Sequence, residues 1–284
     1  MKLKIAYQGE AGANSHIAAR ESRPTHEPLA CRTFEDAFAA LADGEAALAM
    51  IPIDNSVAGR VADIHHLMPS ANIFITGEHF QRIHHQLLIV PGAKLSDVTS
   101  VHSHVHALGQ CRKVIRDLKI RPVVAVDTAG AARELAELRD PTRAAIASSL
   151  AADIYSLEIA RRDIEDEAHN TTRFVILSAT PDDAPIEEAP VMTSFVFRVR
   201  NVPAALYKAM GGFATNGVNM TKLESYQLEG QFTATQFSAD IEGHPSDRHV
   251  QLALEELAFF TSYLRILGVY KASPYRAEIK GKQT

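Results

Sequence analysis

Ala179-Thr180-Pro181-Asp182-Asp183-Ala184-Pro185-Ile186-Glu187-Glu188-Ala189-Pro190 divides this sequence into two parts with different patterning. Its three prolines each fix φ and remove a backbone donor, and its four acids repel one another, so neither a helix nor a strand continues through it. The interdomain linker is placed at 179–191.

Upstream of the linker, strand and helix patterns alternate. Apolar runs predict strands at 3–8, 46–53, 73–75, 86–90, 122–126, 144–147 and 172–177. Helical spacing predicts helices at 15–21, 34–41, 61–68, 105–118 and 129–138. Such alternation implies an α/β region of parallel sheets covered by helices. The chain leaves a first lobe near residue 80 and returns near 165, so 1–178 reads as two lobes, 1–80 plus 165–178 and 81–164, around a cleft. Downstream, strand 193–200, helix 204–215, strands 219–227 and 231–241, helix 247–260 and strand 263–269 give the βαββαβ order of a ferredoxin-like domain over 192–271. Residues 272–284 remain as a C-terminal tail.

Composition narrows the function classes. A chain of 284 residues supports more than one core, and its 46% apolar and 22% charged residues are those of an ordinary globular protein. No apolar run approaches the roughly 18 residues of a membrane span, and the start turns polar by Gln8-Gly9, so a cytoplasmic protein without membrane contact is expected. A net charge of −5 with scattered basic residues excludes the basic stripe that nucleic acid requires. Cys31 and Cys111, far apart in apolar contexts, read as reduced core thiols.

Four times in the upstream region an apolar strand ends at a small polar residue suited to open a helix: Gln8-Gly9 to Ser15, Asp54-Asn55-Ser56, His102-Ser103-His104, and Asp127-Thr128-Ala129-Gly130. Helix starts offer backbone N–H groups and the positive end of a dipole to anions, and in open α/β sheets they gather where ligands bind. A cleft for a small, multiply anionic molecule follows from the four together; taken singly, each junction reads first as an ordinary cap. Gly9 and Gly12 lack the Lys-Ser/Thr of a phosphate loop and the third glycine of a dinucleotide fingerprint. His102, His104 and His106 would share one face of a strand, but no carboxylate or cysteine completes a recognised metal spacing, and neither do the pairs His65-His66 and His84-His85. No metal and no cofactor are expected.

Six stretches carry a family resemblance: Ala6-Tyr7-Gln8-Gly9 to Ser15-His16, Ile51 to Ser56, Ser103 to Cys111, Asp127 to Ala132, Ala144 to Ser148, and Asn170-Thr171-Thr172-Arg173-Phe174. In this order they resemble the prephenate dehydratase domain, over residues 1–178. The resemblance implies a two-lobed catalytic region like type II periplasmic-binding-protein folds, acting without metal. The implied reaction removes the ring carboxylate of prephenate as carbon dioxide and its ring hydroxyl as water, giving phenylpyruvate for phenylalanine synthesis. It points to Thr172, Asn55, Ser103 and Gln110 as catalytic, with the Thr172 hydroxyl at the departing oxygen, and to Ser15, Ser56, Thr128, Ala129 and Gly130 as substrate-binding. Arg173 reads either as a cation for the substrate or as a partner of Glu165, Asp166 or Glu167. Asp54 stands where the family has Glu, Ala13-Asn14 replaces Thr-Tyr, and Val105-His106 replaces Pro-Gln.

Residues 192–271 resemble an ACT module through Pro203 to Ala209 and Gly217 to Ser225. The module pairs with a second copy, which implies a homodimer or homotetramer that binds L-phenylalanine through Ala204, Ala205, Leu206, Asn219, Met220, Glu224 and Ser225. Tyr226-Gln227 replaces the Arg-Pro that follows Glu-Ser in the family. Arogenate as substrate, and a non-catalytic amino-acid sensor, stay open as alternatives.

Overall fold

The structure, a computed structural model, describes residues 2–61, 72–187, 190–200, 202–227 and 234–283. Contacts divide the chain into two compact units, Met1–Ala62 with His79–Phe174, and Asp63–Glu78 with Val175–Thr284. The helix expected at 61–68, with His65-His66, lies outside the described residues save for Val61. No helix among the described residues is long and apolar enough to cross a membrane.

The first unit holds two sheets. In one, β1 (Lys4–Gln8) pairs in parallel with β2 (Glu27–Cys31) and β3 (Leu48–Asn55). The order runs β2-β1-β3-β11-β5, where β5 is Phe74–Arg82 and β11 is Thr171–Ser178, and β4 (Gly59–Arg60) turns back on β3. β5 and β11 carry the chain from one unit to the other, at 78/79 and 174/175. Helices α1 (Asn14–Ser22) and α2 (Phe34–Ala42) flank this sheet, and α2 is opened by a capping box between Thr33 and Asp36.

The second sheet has the order β10-β6-β9-β7-β8, with β6 Gln86–Ile89, β7 Ser100–Ser103, β8 Arg121–Val124, β9 Arg143–Ala147 and β10 Glu158–Arg161. Its β6 runs antiparallel to both neighbours, which corrects the expectation of wholly parallel sheets. The cause is connectivity: β6 arrives directly from β5 rather than over a helix, so no crossover forces it parallel. The expected helix 105–118 is two helices, α3 (Val105–Gln110) and α4 (Arg112–Leu118). The break is tertiary: the Asp166 carboxylate takes the N–H groups of Arg112 (3.0 Å) and Lys113 (3.1 Å), recapping the chain at Cys111, and the Asp166 N–H donates to the Gln110 carbonyl (2.6 Å). Helices α5 (Thr128–Leu138) and α6 (Ser149–Tyr155) complete the unit.

In the second unit, β12 (Val191–Val199), β13 (Met220–Gln227), β14 (Ala234–Glu242) and β15 (Thr261–Lys271) form an antiparallel sheet in the order β13-β14-β12-β15. Helices α7 (Ala205–Thr215) and α8 (Arg248–Phe260) bury Phe213, Val250 and Leu257 against Phe195, Phe197, Phe237 and Ile241 on one face. The order is that expected of a ferredoxin-like domain. Residues 231–233 of the strand expected at 231–241 are outside the described set, and the expected tail carries a helix, α9 (Tyr275–Gln283).

Candidate active site

A cavity of about 310 Å³ opens in the first unit. It is lined from the first sheet by Gln8, Asn55 and Thr172, from the start of α1 by Asn14 and Ser15, and from the other lobe by His85, His104, His106, Gln110, Asp127 and Thr128. Pro52, Ile83, Val126 and Phe174 supply apolar wall. Gly9 and Gly12 hold φ at +114° and +92°, and a Cβ on Gly12 would stand 2.7 Å from the Cα of Ala151, so the loop ahead of α1 needs glycine there. Ala13 offers no side-chain cap, so the first N–H groups of α1 have no side-chain acceptor where Asn14 and Ser15 line the cavity.

One hydrogen-bonded chain runs across the floor. The Asn55 amide donates to Thr172 Oγ1 (2.9 Å) and to Asn170 Oδ1 (2.8 Å). The Asn170 amide donates to Gln110 Oε1 (2.8 Å), which also accepts from His85 Nε2 (2.9 Å). Asn170 is 1% exposed and His85 3%, so at these two residues a lost partner would be costly, while Asn55 and Gln110 are only half-buried. Burial pulls the His85 pKa below its ordinary value, which keeps the ring neutral with its proton on Nε2.

This network assigns roles by counting donors. Asn55 is saturated: both amide hydrogens are committed, and its Oδ1 accepts from the N–H groups of Val57 (3.0 Å) and Ala58 (2.7 Å). Its side chain therefore holds Thr172 and has no free donor to offer the cavity. Thr172 accepts from Asn55, which turns its own O–H outward as a donor. Gln110 spends its oxygen on His85 and Asn170, which leaves its NH₂ for the cavity.

Other expected residues lie elsewhere. Ser103 does not line the cavity: it is fully buried, and its hydroxyl donates to the Ile146 carbonyl (2.6 Å), tying β7 to β9. Ser56 donates to the His169 carbonyl (2.7 Å) and accepts from the Thr171 N–H (2.9 Å), fixing the start of β11. Ala129 is fully buried. The Gly130 N–H is taken by Asp127 Oδ1 (2.6 Å), an ordinary cap, and Gly130 lines an adjoining cavity of about 690 Å³ that shares Gln8, Gly9, Val126 and Asp127 with the first. Asn55-Ser56 opens no helix, since β3 turns there into β4. Arg173, 6% exposed, pairs with Asp54 (3.6 Å) rather than with the acids expected.

The alternating histidines do not converge. His102 meets Ser100 (3.2 Å) and Arg143 (3.0 Å), His104 Nδ1 caps the His106 N–H (3.3 Å), and only His104 and His106 line the cavity. Among the described residues, one group has metal-like spacing: His84 Nδ1 stands 2.9 Å from Glu165 and 3.3 Å from Asp163. Those distances are also those of an imidazole N–H shared by two carboxylates.

In the second unit, Ala204 to Leu206 open α7 while Asn219 and Met220 follow its far end, separated by the length of an 11-residue helix, about 16 Å. Asn219 donates to Glu242 (3.1 Å), Ser225 is exposed, and Glu224 takes the hydroxyl of Tyr226 and pairs with Lys222 (3.5 Å).

A family model described as prephenate dehydratase matches residues 5–182. A bifunctional N-acyl-homoserine lactone acylase/prephenate dehydratase of Komagataeibacter europaeus is 53% identical over 96% of this chain and 97% of its own length. Arogenate dehydratase 2 of Petunia hybrida is 35% identical over 95% of this chain and 72% of its own. The crystal structure of a prephenate dehydratase from Arthrobacter aurescens in complex with L-Phe superposes with a TM-score of 0.87 at 28% identity, covering 99% of this chain and 97% of that one.

Proposed function

The chain belongs to the prephenate dehydratase family of hydro-lyases, and from that premise we propose that it converts prephenate to phenylpyruvate, water and carbon dioxide. The bond from the ring to its carboxylate breaks, and that electron pair enters the ring as the hydroxyl departs. One proton, supplied through solvent, completes the water. Aromatisation drives the step, so the protein need only orient the ring and assist the leaving oxygen. The observation that carries the reading is the Thr172 hydroxyl, its lone pair held by Asn55 and its proton free for the departing oxygen. A bonded alcohol is a poor acid, so its help is a hydrogen bond that strengthens as charge builds on the leaving group. The Gln110 amide and the start of α1 at Asn14 and Ser15 serve the substrate's carboxylates.

The 192–271 region is read as an ACT module that binds L-phenylalanine as feedback inhibitor in a homodimer or homotetramer; the relative solved with L-Phe supports the choice of phenylalanine as ligand. Mixing purified protein with prephenate and following phenylpyruvate absorbance, with and without phenylalanine, tests both halves. No absorbance rise would end the dehydratase reading. Two further substrates belong beside prephenate, each with its own product readout, because relatives are named for them: arogenate, which would yield phenylalanine, and an N-acyl-homoserine lactone.

A further inference from the structure

We propose that His106 is the side chain that meets a substrate carboxylate with positive charge, setting the affinity of the cavity and its dependence on pH. The inference rests on the dehydratase reading, which makes the substrate a dianion. Two carboxylates entering a cavity of about 310 Å³ need compensating charge or donors, yet none of its described lining residues is Lys or Arg; Arg32 and Arg133 line only the adjoining cavity, where Arg133 is bonded to Glu10 and Glu137. Arg173, the nearest expected cation, is paired with Asp54. Three histidines line the cavity, and histidine is the one lining residue type that gains positive charge near neutrality.

Two of the three are committed as neutral rings. His85 is buried and donates from Nε2 to Gln110. His104 spends Nδ1 as acceptor for the His106 N–H, so a second proton there would break the cap; burial, then the neighbouring His106, holds its pKa down, with Asp127 opposing. His106 is exposed, its ring 5.1 Å from that of His104, and its nitrogens are not tied into the floor network. Asp127, also in the lining, disfavours a second carboxylate in the cavity, and a cation among the lining residues would offset it. Strands packed on α3 bring His102, Arg121 and Arg143, but none of these lines the cavity, and His102 and Arg143 bond each other.

The test is KM and kcat for prephenate between pH 5.5 and 8.5, in the unaltered protein, His106→Gln and His106→Lys, each checked by thermal melting. The substrate carboxylates stay ionised throughout this range. In the unaltered protein KM is expected to rise about fivefold toward pH 8.5, the scale of a partly solvated ion pair. His106→Gln should hold the weak, high-pH KM throughout and His106→Lys the tight, low-pH KM throughout, with the effect on KM rather than kcat. A Gln variant that follows the unaltered protein at every pH, or a Lys variant no tighter than Gln, overturns the inference alone. An unaltered protein that does not turn over prephenate overturns the dehydratase reading, and the inference with it.

Discussion

Asn170 is the residue on which the site's geometry turns, although its side chain is almost wholly buried. It accepts from Asn55 and donates to Gln110, so one amide fixes the orientation of the group that holds Thr172 and of the group that faces the cavity. Asn170→Ala should lower kcat at least tenfold with KM changed less, because it frees two amides to rotate without removing a substrate contact. It should also cost about 1–3 kcal/mol of stability, since buried donors and acceptors lose partners; a urea melt and steady-state kinetics measure both. Thr172→Ala should cost kcat at least about tenfold with the fold retained, and unchanged turnover would remove the assigned role. Residue types within a motif made Thr172, Asn55 and Gln110 legible. They did not separate contact from support, because that depends on donor counts between residues as far apart as 55 and 170. Ser103 shows the same limit, since a hydroxyl at the end of a strand can face a cleft or a neighbouring strand with the same local sequence.

At the scale of elements, the loop from Gln8 to α1 depends on glycine. Its carbonyls are held from the second lobe: Ser148 donates to Gly12 O, and Tyr155 to Ala11 O (2.9 Å). Arg133 meets Glu10 across the same gap (2.6 Å). Gly12→Ala would place a methyl against the Ala151 backbone at a φ that disfavours L side chains. An expected loss of about 1–3 kcal/mol follows, together with reduced activity as Asn14 and Ser15 shift; thermal melting against an assay at saturating substrate reads both. Periodicity located most strands and helices in this region, but the two-residue β4, the four-residue β7, and β2, α6 and β10 escaped it. β2 is an edge strand containing Pro28 with little burial, α6 has only seven residues, and β10 is partly exposed, so none presents a sustained apolar face. The split of α3 from α4 was equally invisible, because the cap that causes it comes from Asp166, over fifty residues away.

For the whole molecule, the arrangement of the second unit bears on how phenylalanine would act. Ala204 to Leu206 and Asn219-Met220 sit about 16 Å apart at opposite ends of α7, farther than one amino acid reaches. If both segments contact the ligand, they must come from different copies of the chain, and ligand binding is then linked to self-association. Feedback should accordingly depend on protein concentration: inhibition by L-phenylalanine is expected to weaken as the enzyme is diluted, and sedimentation velocity should show the ligand shifting the chain toward the larger species. The sequence departure at Tyr226 bears on the strength of this response. Where the family places an arginine that could neutralise Glu224, this chain supplies a tyrosine hydroxyl and Lys222. If Glu224 belongs to the proposed effector site, its charge is partly met there but not by a guanidinium fork, so Tyr226→Arg is expected to tighten phenylalanine binding severalfold by calorimetry. Inhibition that is indifferent to enzyme concentration, with no shift in sedimentation, would mean that one chain holds the effector alone.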